Sequence, residues 1–124
     1  MLYAILCYND EAAVEAWPKA KDDAVIAHRR QVTDRLAESG KLGPVLRLMP
    51  TTAATSLRHG PDPLVLDGPF AETKEQLLGL YVVDCASLEE AIETAKQIGA
   101  SDTGTFEIRP LRYFNAGSLA KETA

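Results

Sequence analysis

Apolar positions divide the chain into alternating segments of strand and helix character. Residues 2–8 are almost continuously apolar and rich in β-favouring types, which predicts a strand buried on both faces. Residues 77–84 are apolar on both alternating faces, so this segment also predicts a strand with two covered faces. Residues 42–48 and 105–109 predict two further strands.

Three helices are predicted between these strands. Asn9 and Asp10 can cap a short helix over residues 11–17, which Pro18 interrupts. A longer helix, residues 22–39, ends at Gly40, which favours a left-handed C-cap. A third helix follows the capping residue Ser87. The apolar stripes predicted to be buried are Val25, Val32 and Leu36 on the long helix, and Leu88, Ala91, Ile92, Ala95 and Ile98 on the third.

Two short strands, residues 51–57 and 63–66, complete the pattern as a hairpin. The order is that of an α+β protein, a ferredoxin-like βαββαβ fold with an inserted β-hairpin strand. We expect residues 1–114 to form one domain and residues 115–124 a polar tail. The two longer helices can cover only one face of such a sheet. The second apolar face therefore predicts a homodimer in which the two sheets pack against each other.

Composition narrows the classes of partner. The chain of 124 residues is 46% hydrophobic and 25% charged, as in ordinary globular domains. A net charge of −5 argues against nucleic acid and anionic membranes as partners. No apolar run is long enough to cross a membrane and no leader pattern is present, so we expect a cytoplasmic protein. Cys7 and Cys85 show no metal or redox spacing and are predicted to be small buried side chains. The sequence allows a disulfide between them, but the reducing cytoplasm expected for this protein disfavours it.

The most conspicuous segment is the loop at residues 67–76, between two predicted strands. Asp67 and Gly68 favour a turn with positive φ, and Pro69 then restricts the backbone. Such a stiff, charged loop on a scaffold is a typical place for binding residues, although an ordinary solvated connection has the same composition.

This loop, with the sequence DGPFAETKEQL over residues 67–77, resembles the signature of the DGPF-type branch of the YCII-related family. The resemblance extends to the first strand, the turn at residues 40–44, the strand at 79–84 and residues 87–91 and 106–110. It implies a dimeric α+β barrel, and most members of this family have no assigned substrate.

His28 and Asp67 are the catalytic candidates. His28 lies three residues after Val25 and four before Val32, so it borders the buried stripe, and imidazole titrates near neutrality. The family resemblance implies a helix-borne histidine acting with an acidic residue, for which Asp67 is the natural partner. The alternatives are a structural histidine at the core boundary and an aspartate that caps its own turn.

Further side chains are candidates for substrate binding: Phe70, Glu72, Lys74, Arg29 and Arg109. Phe70 either anchors the loop in the core or forms a pocket wall. The charged residues either bind a ligand or make ordinary surface ion pairs. No nucleotide, P-loop, hydrolase or zinc-protease motif is present, so we expect neither a cofactor nor a metal site.

The leading functional hypothesis is a cofactor-free acid/base enzyme. His28 and Asp67 would act on a small organic molecule, such as an aromatic or lactone-like one, in a cleft between helix and sheet. The resemblance to dimeric α+β barrel enzymes supports it, although a fold does not determine a function. One alternative is a non-catalytic ligand-binding or regulatory accessory protein, for which the resemblance to DGPF-type proteins implies a link to an extracytoplasmic-function sigma factor. The other is a purely architectural role for the loop.

Overall fold

A computed structural model describes residues 1–100 and 102–119. Three helices and six strands follow one another in the predicted order. They are β1 (Leu2–Asn9), α1 (Glu11–Glu15), α2 (Lys19–Glu38), β2 (Leu42–Arg47), β3 (Thr55–Arg58), β4 (Leu64–Asp67), β5 (Gln76–Asp84), α3 (Leu88–Ile98) and β6 (Thr105–Pro110), with a short 3₁₀ turn at Thr51–Ala53.

The main sheet is antiparallel, with strand order β2-β5-β1-β6. With the hairpin set aside, this is the order of a ferredoxin-like fold, and the predicted α+β class is confirmed. The inserted hairpin does not join the main sheet, because β3 and β4 pair only with each other. It therefore extends from the domain as a separate two-stranded ribbon.

The core lies between the helices and one face of the main sheet. Its fully buried side chains include Ile5 of β1, Val83 of β5, Val32 of α2 and Ile98 of α3. The predicted helix ends are also observed. The Asp10 carboxylate accepts hydrogen bonds from the first amides of α1, and Gly40 has the left-handed φ of +69°.

The buried face of α3 differs from the predicted stripe. Leu88 and Ile92 are 48% and 38% exposed, whereas Ala91, Thr94, Ala95 and Ile98 are buried. The small residues of α3 form the centre of its contact with the sheet and allow close packing there. Leu88 and Ile92 therefore lie at the edge of this contact. The prediction for Leu88 and Ile92 is therefore wrong.

Other predictions concern the sheet face away from the helices, the two cysteines, membrane-spanning segments and the C-terminal tail. Leu46, near the end of β2, and Leu48, just after it, are 42% and 47% exposed. Cys7 and Cys85 are buried and free, as predicted. No helix in the described residues is long and apolar enough to cross a membrane. Residues 115–119 of the predicted tail contain no helix or strand, and the rest of that tail lies outside the described residues.

Candidate functional site

A cavity of about 380 Å³ lies between the helices and the main sheet. This volume falls within the range of small-molecule sites, which are concave and mostly apolar with a few polar groups. Its apolar lining residues are Val14, Trp17, Val25, Ile26, Val45, Leu46 and Leu78, and its polar ones are Asn9, Asp22, Arg29, Arg30, Arg47, Tyr81 and Asp102.

An ion pair between Arg29 and Asp102 forms part of the cavity wall. Arg29 is on α2, four residues after the buried Val25, so helical periodicity turns it toward the core. Asp102 lies in the connection between α3 and β6, and its carboxylate Oδ2 accepts a hydrogen bond from Arg29 Nη2. The Asp102 side chain is 6% exposed and that of Arg29 is 25% exposed, so the pair is largely desolvated.

Asp102 does not satisfy every donor of the Arg29 guanidinium. Its Nε atom is buried and has no hydrogen-bond partner among the described residues. The guanidinium carbon also lies 5.8 Å from the centre of the Phe106 ring, a cation–π distance that holds the group in place. Arg29 also lines the cavity, and an oxygen that reaches this donor would remove the cost of leaving it unpaired.

The connection that carries Asp102 is fixed to the end of β1. The buried Asn9 side chain donates hydrogen bonds to the Thr103 carbonyl and hydroxyl oxygens, at 3.1 and 3.2 Å. Gly104 has a φ of +92°, and a Cβ at this position would meet the Tyr8 carbonyl oxygen at 2.3 Å. The close approach therefore requires glycine and positions Asp102 at the cavity.

Two buried titratable groups of the sheet also line the cavity, Cys7 of β1 and Tyr81 of β5. Burial raises the pKa of the Cys7 thiol to about 11. Burial likewise raises the pKa of the Tyr81 phenol, and the nearby Arg29 guanidinium opposes part of that shift. Both groups are therefore protonated at neutral pH, and Tyr81 is available as a hydrogen-bond or proton donor.

The rim of the cavity is more exposed and carries most of the remaining charge. Arg47 Nη2 lies 4.0 Å from Asp22 Oδ1, and these side chains are 60% and 37% exposed. Trp17, the single tryptophan of the chain, lines the same region, with Lys21 Nζ 4.5 Å from its ring centre. Trp17 therefore belongs to the cavity wall and provides a spectroscopic probe of it.

Comparison with known proteins shows which family has this architecture. The family model described as YCII-related domain matches residues 1–115. The chain belongs to the YCII-related family. An uncharacterized protein of Rhizobium meliloti (strain 1021) is 52% identical over 122 residues, which cover 96% of this chain and 98% of that protein. The DGPF-type branch remains a prediction.

Of the residues predicted from the sequence, Arg29 lines the main cavity of this YCII-related chain. His28 lies beside it on α2 but is directed toward α3, where its Nε2 atom is 2.6 Å from the Gln97 carbonyl oxygen. Arg109 is exposed on β6 and pairs with Ala4 of β1, whereas its neighbour Ile108 packs on the core. Because side chains alternate along a strand, Arg109 lies on the face away from the helices.

The predicted loop residues Asp67, Phe70, Glu72 and Lys74 are all exposed. Phe70 is 86% exposed, so in the single chain it does not anchor the loop in the core. No hydrogen bond or ion pair within residues 1–100 and 102–119 joins Asp67 to His28, whose ring contacts the end of α3 instead. The single chain therefore does not bring the predicted catalytic pair together.

The turn at the start of this loop has the predicted geometry. Gly68 has a φ of +94° and the peptide bond to Pro69 is trans. The Gly68 amide donates to the Ala54 carbonyl at 2.8 Å, and the Ser56 hydroxyl donates to the Gly68 carbonyl at 2.8 Å. These contacts lie within the hairpin. In a single chain, the motif at residues 67–70 therefore fixes the conformation at the end of the two-stranded ribbon.

Sequence reasoning missed Asp102 and Tyr81 as site residues. Tyr81 has the pattern of an ordinary core residue, and Asp102 is a lone carboxylate in a connection without a motif. One usable signal was present at Arg29, which is four residues after Val25 and three before Val32. An arginine beside a buried stripe requires a buried partner, and a carboxylate elsewhere in the chain is the usual one. The described residues contain no cluster of three metal-ligating side chains.

Proposed function

We propose that this protein binds a small organic molecule in the main cavity, with Arg29 Nε donating a hydrogen bond to an oxygen of the ligand. The observation that carries the proposal is this buried donor, which has no partner among the described residues. Leaving a buried polar group unpaired costs about 1–3 kcal/mol, so a ligand that satisfies it gains affinity.

The surroundings of Arg29 support the same conclusion. The apolar wall formed with Val25, Ile26 and Leu78 excludes water from the ligand body, while Asp102 and Phe106 restrict the guanidinium. A donor held in place loses little conformational freedom when a ligand binds, and this increases affinity and specificity.

The test is a ligand screen read out by Trp17 fluorescence and by the NMR signals of the cavity residues. Oxygen-bearing ligands are expected to shift these signals, and Arg29→Gln to weaken their binding about tenfold through loss of the charged donor. Arg58→Gln, which changes an exposed arginine of β3, is the matched control and should leave binding unchanged. Binding that is equally strong in the Arg29 variant would refute the proposal.

Acid/base chemistry without a cofactor is the second candidate function. It is favoured by the protonated Tyr81 phenol beside the Arg29–Asp102 pair. Arg29 would stabilise negative charge on a ligand carbonyl oxygen, Tyr81 would donate a proton to that oxygen, and a cavity carboxylate would accept the proton from the adjacent carbon.

Exchange of ligand C–H for deuterium in D₂O, followed by NMR, tests this chemistry. Tyr81→Phe should slow protein-dependent exchange by a factor of about 100 while ligand binding is retained. The His28–Asp67 pair is a separate proposal that the same assay tests. If that pair performs the proton transfer, His28→Gln and Asp67→Asn, and not Tyr81→Phe, will abolish the exchange.

The expected homodimer also remains a proposal. It is supported by Leu48, just after β2, and by Leu57, Leu64 and Val65 of the hairpin, all of which are 47–65% exposed. Sedimentation should show a dimer that Leu48→Glu dissociates. Leu88→Glu is the matched control, because Leu88 of α3 is 48% exposed and Leu48 is 47% exposed. A monomeric unmodified protein would contradict the dimer.

A further inference from the structure

We propose that the ligand is an oxo carboxylic acid with an apolar body, bound with its neutral carbonyl oxygen at Arg29 and its carboxylate at the rim. This inference rests on the proposed function and assigns the class of ligand. It follows from the distribution of charge along the cavity, which differs between the buried end and the rim.

The buried end is already electrically balanced. The positive charge of Arg29 is paired with the Asp102 carboxylate, whose side chain is 6% exposed. A ligand carboxylate at this end would place two anions beside one guanidinium in a desolvated environment, which is unfavourable. A neutral carbonyl oxygen can accept the hydrogen bond of Arg29 Nε without adding charge, and the protonated Tyr81 lines the same cavity as a second donor.

The rim has an excess of positive charge. Among the residues that line the cavity there, Arg30 and Arg47 share one carboxylate, that of Asp22, at 4.0 Å from Arg47, whereas Glu11 and Glu15 border Arg47 outside the cavity. In the part of the chain that the structure describes, Arg30 makes no ion pair. A single ligand carboxylate neutralises this excess, and an arginine side chain can donate two parallel hydrogen bonds to its two oxygens. The positive rim is a local feature, because the chain as a whole has a net charge of −5.

The wall between these two ends is apolar. Val14 of α1, Trp17 just after it, and Val25 and Ile26 of α2 offer no charged partner to the middle of a ligand. An aryl or alkyl segment between the carbonyl and the carboxylate therefore fits the order of the lining groups. The volume of about 380 Å³ lies near the lower end of the range for ligand sites and excludes large cofactors.

The experiment compares three probes, 4-oxo-4-phenylbutanoate, its methyl ester and 4-phenylbutanoate, in titrations followed by Trp17 fluorescence and NMR. The oxo acid should bind about threefold more tightly than its ester at low salt, and the difference should vanish at high salt because the rim is exposed. The acid without the oxo group should bind about tenfold more weakly than the oxo acid, because Arg29 Nε remains unpaired.

Variants assign each end of the ligand. Arg30→Gln and Arg47→Gln should reduce the preference for the acid over the ester, whereas Arg58→Gln on the hairpin should leave it unchanged. Arg29→Gln should weaken acid and ester alike. If acid and ester bind equally to the unmodified protein and both depend on Arg29, the ligand class is wrong and the proposed function stands. If none of the three probes binds at millimolar concentration, the ligand class is wrong. If the probes bind independently of Arg29, both proposals fail.

Discussion

The loop at residues 67–75 and the wall of the main cavity carry similar groups in very different environments. In the loop, three carboxylates, one ammonium group and a phenyl ring lie close together in sequence, and all except the half-buried Glu75 are exposed. In the cavity, Arg29, Tyr81 and Asp102 are separated by tens of residues, and the fold brings them together away from water. The loop is therefore the more conspicuous in the sequence and the cavity the more constrained in the structure.

The difference between the two regions follows from solvation. Exposed charges interact through water and contribute little to binding energy, whereas a desolvated guanidinium with an unpaired donor contributes more to the binding of a ligand. Loops that carry a specific motif often bind ligands, but in one chain this motif makes its hydrogen bonds within its own hairpin. Three predictions test this distinction between the regions.

The largest expected difference is in how much stability an alanine substitution removes at two glycines with nearly the same backbone conformation. Gly104, next to the cavity, and Gly68, in the loop, have φ values of +92° and +94°. Alanine at 104 would collide with the Tyr8 carbonyl, whereas the position at 68 has no atom within 4 Å. Gly104→Ala should lower the free energy of unfolding by about 3 kcal/mol and Gly68→Ala by about 1 kcal/mol in chemical denaturation. Equal losses would show that the connection carrying Asp102 is not tightly packed.

A smaller difference is expected for carboxylates in the two regions. Asp102→Ala removes the partner of a largely buried arginine and should lower the free energy of unfolding by about 2 kcal/mol, less than for a fully buried pair because Arg29 is 25% exposed. Glu72→Ala in the exposed loop should change it by no more than about 0.5 kcal/mol. Thermal or urea unfolding measures both. A cost for Glu72→Ala as large as that for Asp102→Ala would mean that the loop has a partner that the single chain does not provide.

The alkaline stability should depend on the cavity region. Burial raises the pKa of the Cys7 thiol from 9.0 to about 11 in the folded protein. Between these values the unfolded thiol ionises while the folded one stays protonated, so stability is lost as pH rises from 9 to 11. The contribution of Cys7 to this loss should be on the order of 2 kcal/mol. Urea unfolding of Cys7→Val over this pH range should show a shallower decline, and an unchanged decline would assign it to other groups.

The fold could be predicted well from the sequence, because it depends on local patterns. Short apolar segments predicted the four strands of the main sheet, and Asp10 and Gly40 predicted helix ends that the structure confirms. The errors occur where tertiary packing decides. Leu88 and Ile92 are partly exposed because the small residues of α3 pack on the sheet, and no periodicity argument distinguishes the two faces there.

The candidate site could be predicted only in part. Arg29 and a cleft between helix and sheet were predicted, but Asp102 was not, because the pair joins residues 73 positions apart. His28 was predicted from its position on the helix beside the core. One residue corresponds to about 100° of rotation in an α-helix, so Arg29 meets the cavity and His28 meets the end of α3.

The measurement that tests the central claim most directly is an NMR titration with 4-oxo-4-phenylbutanoate that follows the Arg29 Nε–H signal and the backbone amides. If the cavity is the binding site, the Arg29 Nε–H signal shifts and exchanges more slowly with water, the Trp17 indole signal moves with it, and the amides of residues 68–75 stay in place. Shifts confined to residues 67–75, with an unchanged Arg29 signal, would contradict the account and show that the ligand binds at the loop.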